Sequence, residues 1–205
     1  QGIFKALYAG LAGMLYRRGA ENALLVCEGD SPSGRMIARQ LDAALDHGEY
    51  LMVLPPDRLA GIKAPEGLRL VPVTPGDIHE FSALSAAIFD ESQDDARAFA
   101  LSVLADGDRE QFFARTMEGA VGLVAVAKER ESCMLHGLGV LPGLRGRGLG
   151  GCILDACLVV LRNRGVRDIS LEVDVDNVPA LALYRSRGFT EKNRVDYWKL
   201  PKGKD

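Results

Sequence analysis

Apolar residues recur along this chain with two periods, one helical and one alternating, and the switches between them divide it into elements. Ile3, Leu7, Leu11 and Leu15 share the spacing of one helix face, so a helix is expected over 3–17. The short apolar run "ALLVC" predicts a strand at 23–27, a helix is expected over 33–47, and "YLMVL" predicts a strand at 50–54. Ser31, Pro32 and Gly48 punctuate the second helix as cap, first-turn proline and terminal glycine. Residues 55–67 carry three prolines and two glycines and read as a linker. The expected division is therefore a small α/β region at 1–66 followed by a larger domain at 67–205.

The second region opens on the alternating segment "LRLVPVT", a strand at 68–74, and continues with helices over 76–89 and 93–104. Three strands follow in close succession at 111–117, 121–128 and 133–140, as antiparallel neighbours do. A helix over 149–164 stops at Gly165, a strand covers 168–175, a helix over 178–187 stops at Gly188, and a last strand covers 194–200. This order predicts a mixed α/β fold whose sheet combines parallel and antiparallel strands. No internal repeat, low-complexity tract or long charge run interrupts it.

Composition narrows the function classes. The 205 residues are 47% hydrophobic and 26% charged, which suits a globular protein with a real core. A net charge of −3 argues against a nucleic-acid partner, since a phosphate-tracking surface shows as a basic excess. Cys27, Cys133, Cys152 and Cys157 have no metal-type spacing, so no metal is expected and the thiols are expected to be reduced, as in the cytoplasm. No apolar run reaches the roughly 18–20 residues that span a bilayer, so no membrane is expected. The segment "IFKALYAGLAGMLY" is shorter, contains Lys5, and has Arg17 and Arg18 behind it, the reverse of a secretory signal.

The chemistry concentrates in "VLPGLRGRGLGG", Val140 to Gly151. Five glycines and two arginines lie in 143–151, between a predicted strand and a predicted helix. Such a junction aims several unpaired backbone N–H groups at one place, with the positive end of the helix dipole behind them, and so forms an anion site. Gly146, Gly148 and Gly151 also satisfy G-x-G-x-x-G, with Glu172 placed as a ribose-binding acid would be. Against a nicotinamide coenzyme, Leu141–Arg145 separate the first glycine from its strand, and too few elements follow for a doubly wound sheet.

The same residues read as Arg145-x-x-Gly148-x-Gly150, and here the chain resembles the GCN5-related N-acetyltransferases. In that superfamily (Q/R)-x-x-G-x-(G/A) binds the pyrophosphate of acetyl-CoA through backbone amides. Downstream, "LEVDVDNVPALALYRSRGF" at 171–189 is similar to the second half of the family domain, with Asn177, Ala180, Leu183-Tyr184 and Gly188-Phe189 in register. The resemblance covers about 68–200. It implies an acyl-CoA N-acyltransferase fold and acetyl transfer from acetyl-CoA to a primary amine of a small molecule or a peptide N-terminus, directly in a ternary complex. The coenzyme contacts it implies are Arg145, Gly146, Arg147, Gly148, Leu149 and Gly150, with Asn177 and Ala180, and the backbone of a bulged strand at Leu138, Gly139 and Val140. It implies Tyr184 as the acid that protonates the departing thiolate. Residues 1–66 are then either a degenerate second copy of the fold or a homodimerisation element.

For the general base, two residues qualify. Glu172 stands twelve residues before Tyr184, as in enzymes resembling the peptide N-terminal acetyltransferases, and it equally fits the solvated face of an alternating strand. His136 lies on the strand that carries the base in other branches, and an imidazole relays protons near neutral pH. Met134 occupies the site that aligns with the catalytic glutamate of histone-acetylating members, which weighs against a histone-type mechanism. Cys133 and Cys152 read as packing residues. Asp174 and Asp176 are candidates to attract a cationic substrate or to form a solvated face. A rival from another class is a non-catalytic acyl-CoA-binding or regulatory module that shares the loop but leaves acid and base idle.

Overall fold

The computed structural model describes residues 2–20, 22–129 and 132–201; the side chain of Ile3 and the residues at 130–131, between two of the expected strands, lie outside that description. The chain forms two compact units. The first comprises 1–51, 173–178 and 191–205, and the second comprises 52–172 and 179–190. This differs from a division at 66/67, because the last strand of the chain pairs with the first one and not with its sequence neighbours.

In the first unit, α1 (Gly2–Arg17) precedes β1 (Leu24–Glu28). The expected apolar face of α1 leaves Leu7 67% and Leu11 57% exposed. Strand β1 is antiparallel to the C-terminal strand β8 (Thr190–Lys199), from Leu24↔Lys199 to Glu28↔Val195. Next, α2 spans Pro32–Gln40, with the Ser31 hydroxyl accepting from Gly34 N–H at 3.1 Å. The helix stops well short of residue 47. Asp42 takes a left-handed φ of 52°, and Ala43 N–H reaches back to Ala38 O at 2.9 Å. Strand β2 then begins at Ala44 and runs to Leu54, so Gly48 is a strand residue and not a helix terminator. A Cβ at Gly48 would lie 3.0 Å from Arg194 Nη2 and Asp196 Oδ1, a tight fit. Within this unit the strand order is β1-β8-β2.

In the second unit the expected linker contains a helix, α3 (Pro56–Gly61), with Leu59 buried. Its C-terminal carbonyls need donors, and Arg162 supplies them: its Nη1 donates to the carbonyls of Leu59, Ala60 and Ile62 at 3.3, 3.1 and 2.8 Å. The remaining elements match the expected order: β3 (Arg69–Pro72), α4 (Ile78–Phe89), α5 (Gln93–Ala105), β4 (Arg109–Thr116), β5 (Gly119–Glu129), β6 (Ser132–Val140), α6 (Leu149–Asn163), β7 (Asp168–Asp174) and α7 (Val178–Ser186). Their strand order is β7-β6-β5-β4-β3, antiparallel throughout except for the parallel β6–β7 pair.

Alternation along β4 assigns the two faces of this sheet. Phe113 packs edge-on against Phe81 of α4, their centroids 6.2 Å apart, while the next-door Phe112 lies under the guanidinium of Arg164 at the end of α6. Helices α4 and α5 therefore cover one face and α6 the other. On α6, helical spacing puts Ile153, Leu154, Cys157, Leu158 and Leu161 on one face, and all are at most 1% exposed. The other face centres on Val73, Phe81, Leu84, Ile88, Phe113 and Leu123.

Candidate functional site

A fork in the sheet is the first component. Strands β6 and β7 pair from Ser132↔Asp168 to Leu135↔Leu171, where the ladder ends although both strands continue. The cause lies on β6. Leu123 faces Gly139 and Ala125 faces His136, so Gly137 and Leu138 together oppose Val124, which is a β-bulge; Gly137 supplies the φ of 53° that it needs. A bulge bends its strand, and here the bend starts as pairing with β7 stops. Gly139 also has no room for a side chain, since a Cβ would collide with Ile88 Cγ2 and approach the Phe89 ring to 3.0 Å. Leu141 N–H donates to Val121 O at 3.0 Å, and strand alternation then turns the N–H groups of Leu138 and Val140 to the opposite edge, toward the fork.

The glycine turn follows directly. Pro142–Leu144 form a 3₁₀ turn, and Arg145 N–H donates to Pro142 O at 3.3 Å. Gly146 and Gly148 have φ of 75° and 80°, and the first bond of α6 runs from Cys152 N–H to Gly148 O at 3.2 Å. Among the described residues no acceptor meets the N–H groups of Gly146, Arg147, Gly148, Leu149, Gly150 or Gly151. A row of unfilled donors at a helix N-terminus attracts an anion. The Arg145 amide is already paired, and its side chain turns back onto the protein. Its Nε donates to Val140 O at 3.1 Å and its Nη2 to Ile88 O at 2.7 Å. It braces the turn against β6 and α4, and leaves Arg147, exposed on the turn, as the cation able to face a phosphate.

Tyr184 is held by the way its helix ends. Gly188, at φ 90°, stops α7; Gly188 N–H donates to Arg185 O at 3.0 Å and Phe189 N–H to Tyr184 O at 3.1 Å. The Phe189 ring closes on the Tyr184 ring at 5.8 Å between centroids. Arg187 then ties α7 to α6, donating to both carboxylate oxygens of Asp155 at 3.1 Å. A Cβ on Gly150 would lie 3.5 Å from Leu183 Cδ2 and 3.9 Å from Val140 Cγ2, so the turn, the end of β6 and α7 meet at that residue. Burial raises the Tyr184 pKa above the ordinary tyrosine value, which keeps the phenol protonated.

His136 and Glu172 are register neighbours, each one residue beyond the last paired position, Leu135↔Leu171. Both are exposed while the two leucines are buried. Asn177 N–H donates to Asp174 O at 3.0 Å in the turn before α7, and Ala180 is the third residue of that helix. The Asp174 carboxylate accepts from Asp176 N–H at 2.7 Å, so it shapes this turn; Asp176 is exposed. Cys133 and Cys157 are buried, and burial pushes the Cys157 thiol up to about 12. Among the described residues, no group of three or more His, Cys, Asp or Glu side chains could hold a metal, and no helix is long and apolar enough to cross a membrane.

A sheet opened by a bulge, with a donor-lined turn leading into a helix, defines the acyl-CoA N-acyltransferase fold, which implies an acetyl-CoA-like cosubstrate. The chain belongs to the acetyltransferase (GNAT) family, whose model matches residues 78–189. It is similar to a mycothiol acetyltransferase of Clavibacter michiganensis subsp. michiganensis, with 32% identity over 177 residues, 80% of this chain and 57% of that protein. The [Ribosomal protein bS18]-alanine N-acetyltransferase of Escherichia coli K12 is 32% identical over 101 residues, 48% of this chain and 68% of that one. Among solved structures, a tandem GNAT protein from the clavulanic acid biosynthesis pathway shares the fold with a TM-score of 0.77 at 21% identity, covering 100% of this chain and 71% of that one.

Sequence reasoning missed a cavity of about 220 Å³ on the α4/α5 face, lined by Phe81, Phe89, Phe99, Gln111, Ala125 and Gly137 among others. One signal was present: Gln111 stands two residues from Phe113, on the inward face of β4, where a polar residue is out of pattern.

Proposed function

We propose that this chain transfers an acetyl group from acetyl-CoA to a primary amine of a small molecule or a peptide N-terminus, directly within a ternary complex. The observation that carries the reading is the run of acceptor-free amides from Gly146 to Gly151, at the foot of a sheet that opens beyond Leu135↔Leu171. Two of the similar proteins, the mycothiol and bS18-alanine enzymes, are named as acetyltransferases, which supports the reaction class.

Acetyl-CoA supplies the thioester. The amides of Gly146–Gly151, with Arg147, hold its diphosphate, and the fork-facing N–H groups of Leu138 and Val140 hydrogen-bond along the fork and orient the acyl end. An amine with a pKa near 10 is over 99% protonated at pH 7 and must give up a proton before it attacks. His136 and Glu172, at the fork, are the acceptors for that proton, directly or through water. Tyr184, kept neutral by burial, donates its phenolic proton to the departing sulfur. Binding both reactants in a fixed orientation supplies much of the remaining rate. Thiol release from acetyl-CoA in the presence of a panel of amines and peptides tests the reading: turnover dependent on amine supports it, and coenzyme binding without turnover on any amine refutes it.

A further inference from the structure

Gln111 is 4% exposed, and neither its Nε2 nor its Oε1 has a hydrogen-bond partner. A buried carboxamide with both ends unfilled is unfavourable unless something fills it. The side chain lines a cavity of about 220 Å³ whose other walls are mainly apolar, including the rings of Phe81, Phe89 and Phe99. Glu91, also in the lining, is already engaged, its Oε1 accepting from the Ser85 hydroxyl at 2.6 Å. The volume is below the roughly 300–1,000 Å³ of sites for drug-sized ligands, so it takes one ring or branched group and not an oligosaccharide or a long peptide.

The cavity is placed where an acceptor would enter. Gly137 of the bulge is part of its wall, and Ala125, also in the wall, is the direct cross-strand partner of His136. Residues directly opposite on antiparallel strands share a face, so His136 projects on the cavity side of the sheet, and the parallel register puts Glu172 on the same side. Both candidate bases thus border the same face as the unfilled carboxamide.

We propose that this cavity seats the non-reacting end of the acceptor, and that the acceptor is an amine on an aromatic or branched apolar body bearing one uncharged amide that pairs with both ends of Gln111. This rests on the reading of the chain as an acetyl-CoA-dependent transferase. The pairing disfavours polyamines and polyols, which would leave the apolar walls unfilled and bring more charges or hydroxyls than the polar groups of the lining, Gln111, Glu91 and Ser85, can pair.

The test compares 4-(2-aminoethyl)benzamide, whose amide lies across the ring from its amine, phenethylamine (the same body without the amide) and spermidine, each assayed for thiol release and for binding in the presence of coenzyme A. Wild-type protein is expected to prefer 4-(2-aminoethyl)benzamide over phenethylamine by at least tenfold in kcat/KM and to leave spermidine unmodified. Gln111→Leu is expected to erase that preference while keeping its acetyl-CoA affinity, and to melt no lower than wild type because it removes an unfilled polar group. Ala125→Phe, which fills the cavity, is expected to block both aromatic amines. Equal use of the two aromatic amines, preference for spermidine, no binding of 4-(2-aminoethyl)benzamide, or an unchanged preference in Gln111→Leu overturns the proposal. Loss of acetyl-CoA binding by the wild type is a distinct outcome, which overturns the transferase reading and this inference with it.

Discussion

Replacing Tyr184 by Phe removes one oxygen from a side chain whose remaining contacts survive the change. Among the described residues its hydroxyl has no hydrogen-bond partner, and the ring contact with Phe189, at 5.8 Å, belongs to the ring alone. The backbone bond that ends α7, from Phe189 N–H to Tyr184 O, is untouched. Stability should therefore change by no more than about 0.5 kcal/mol, as for substitutions that break no buried network. Chemistry should change much more. A positioned proton donor contributes about 10²- to 10⁴-fold, so kcat should fall by that factor, about 3–5 kcal/mol of barrier, with acetyl-CoA affinity within twofold of wild type. The assay is thiol release under saturating acetyl-CoA and amine, with a parallel thermal melt. A variant that folds, binds coenzyme and keeps kcat within threefold would show that the sulfur takes its proton from elsewhere.

Four further outcomes follow. Because burial raises the Tyr184 pKa, the donor is lost only above the ordinary value near 10, so the alkaline limb of the kcat profile should lie above pH 10; a limb near pH 8 would assign it to another group. Gly148→Ala places a Cβ at φ 80°, costing about 1–2 kcal/mol and disturbing the donor row, so acetyl-CoA affinity should drop at least tenfold by calorimetry while the melt shifts by only a few degrees. Arg145→Ala removes donors to Val140 O and Ile88 O and should cost about 1–3 kcal/mol in urea unfolding, more than Arg147→Ala, which should instead weaken coenzyme binding in a salt-dependent way. Cys157, with its thiol at about 12, should resist a thiol reagent at pH 8 until the protein is denatured.

Much of this architecture could be read from periodicity. The buried face of α6 and the succession of β4, β5 and β6 as antiparallel neighbours follow local patterns, and local patterns are what a single sequence displays. The second helix was expected to run to residue 47 because Gly48 looked like its terminator. The actual stop uses Asp42 in a left-handed conformation, and Gly48 lies in a strand, close against the Arg194 and Asp196 side chains of a strand some 150 residues later. The grouping of β8 with β1 has the same cause, since pairing across that distance leaves no mark in either segment. Arg145 stood out in the sequence as a motif residue, but that its side chain braces the turn through Ile88 O, an acceptor 57 positions away, leaves no local mark. The cavity around Gln111 was illegible for a related reason: its walls come from α4, α5, β4, β5 and β6, and only the misfit of one polar residue on an apolar face hinted at it.

Titration of the folded protein with acetyl-CoA, followed by calorimetry and by the amide signals of Gly146–Gly151, tests the central claim most directly. Saturable binding that shifts those amides, and that weakens as salt rises, is the predicted result. No uptake at millimolar coenzyme, or uptake that leaves those amides unmoved, would contradict it.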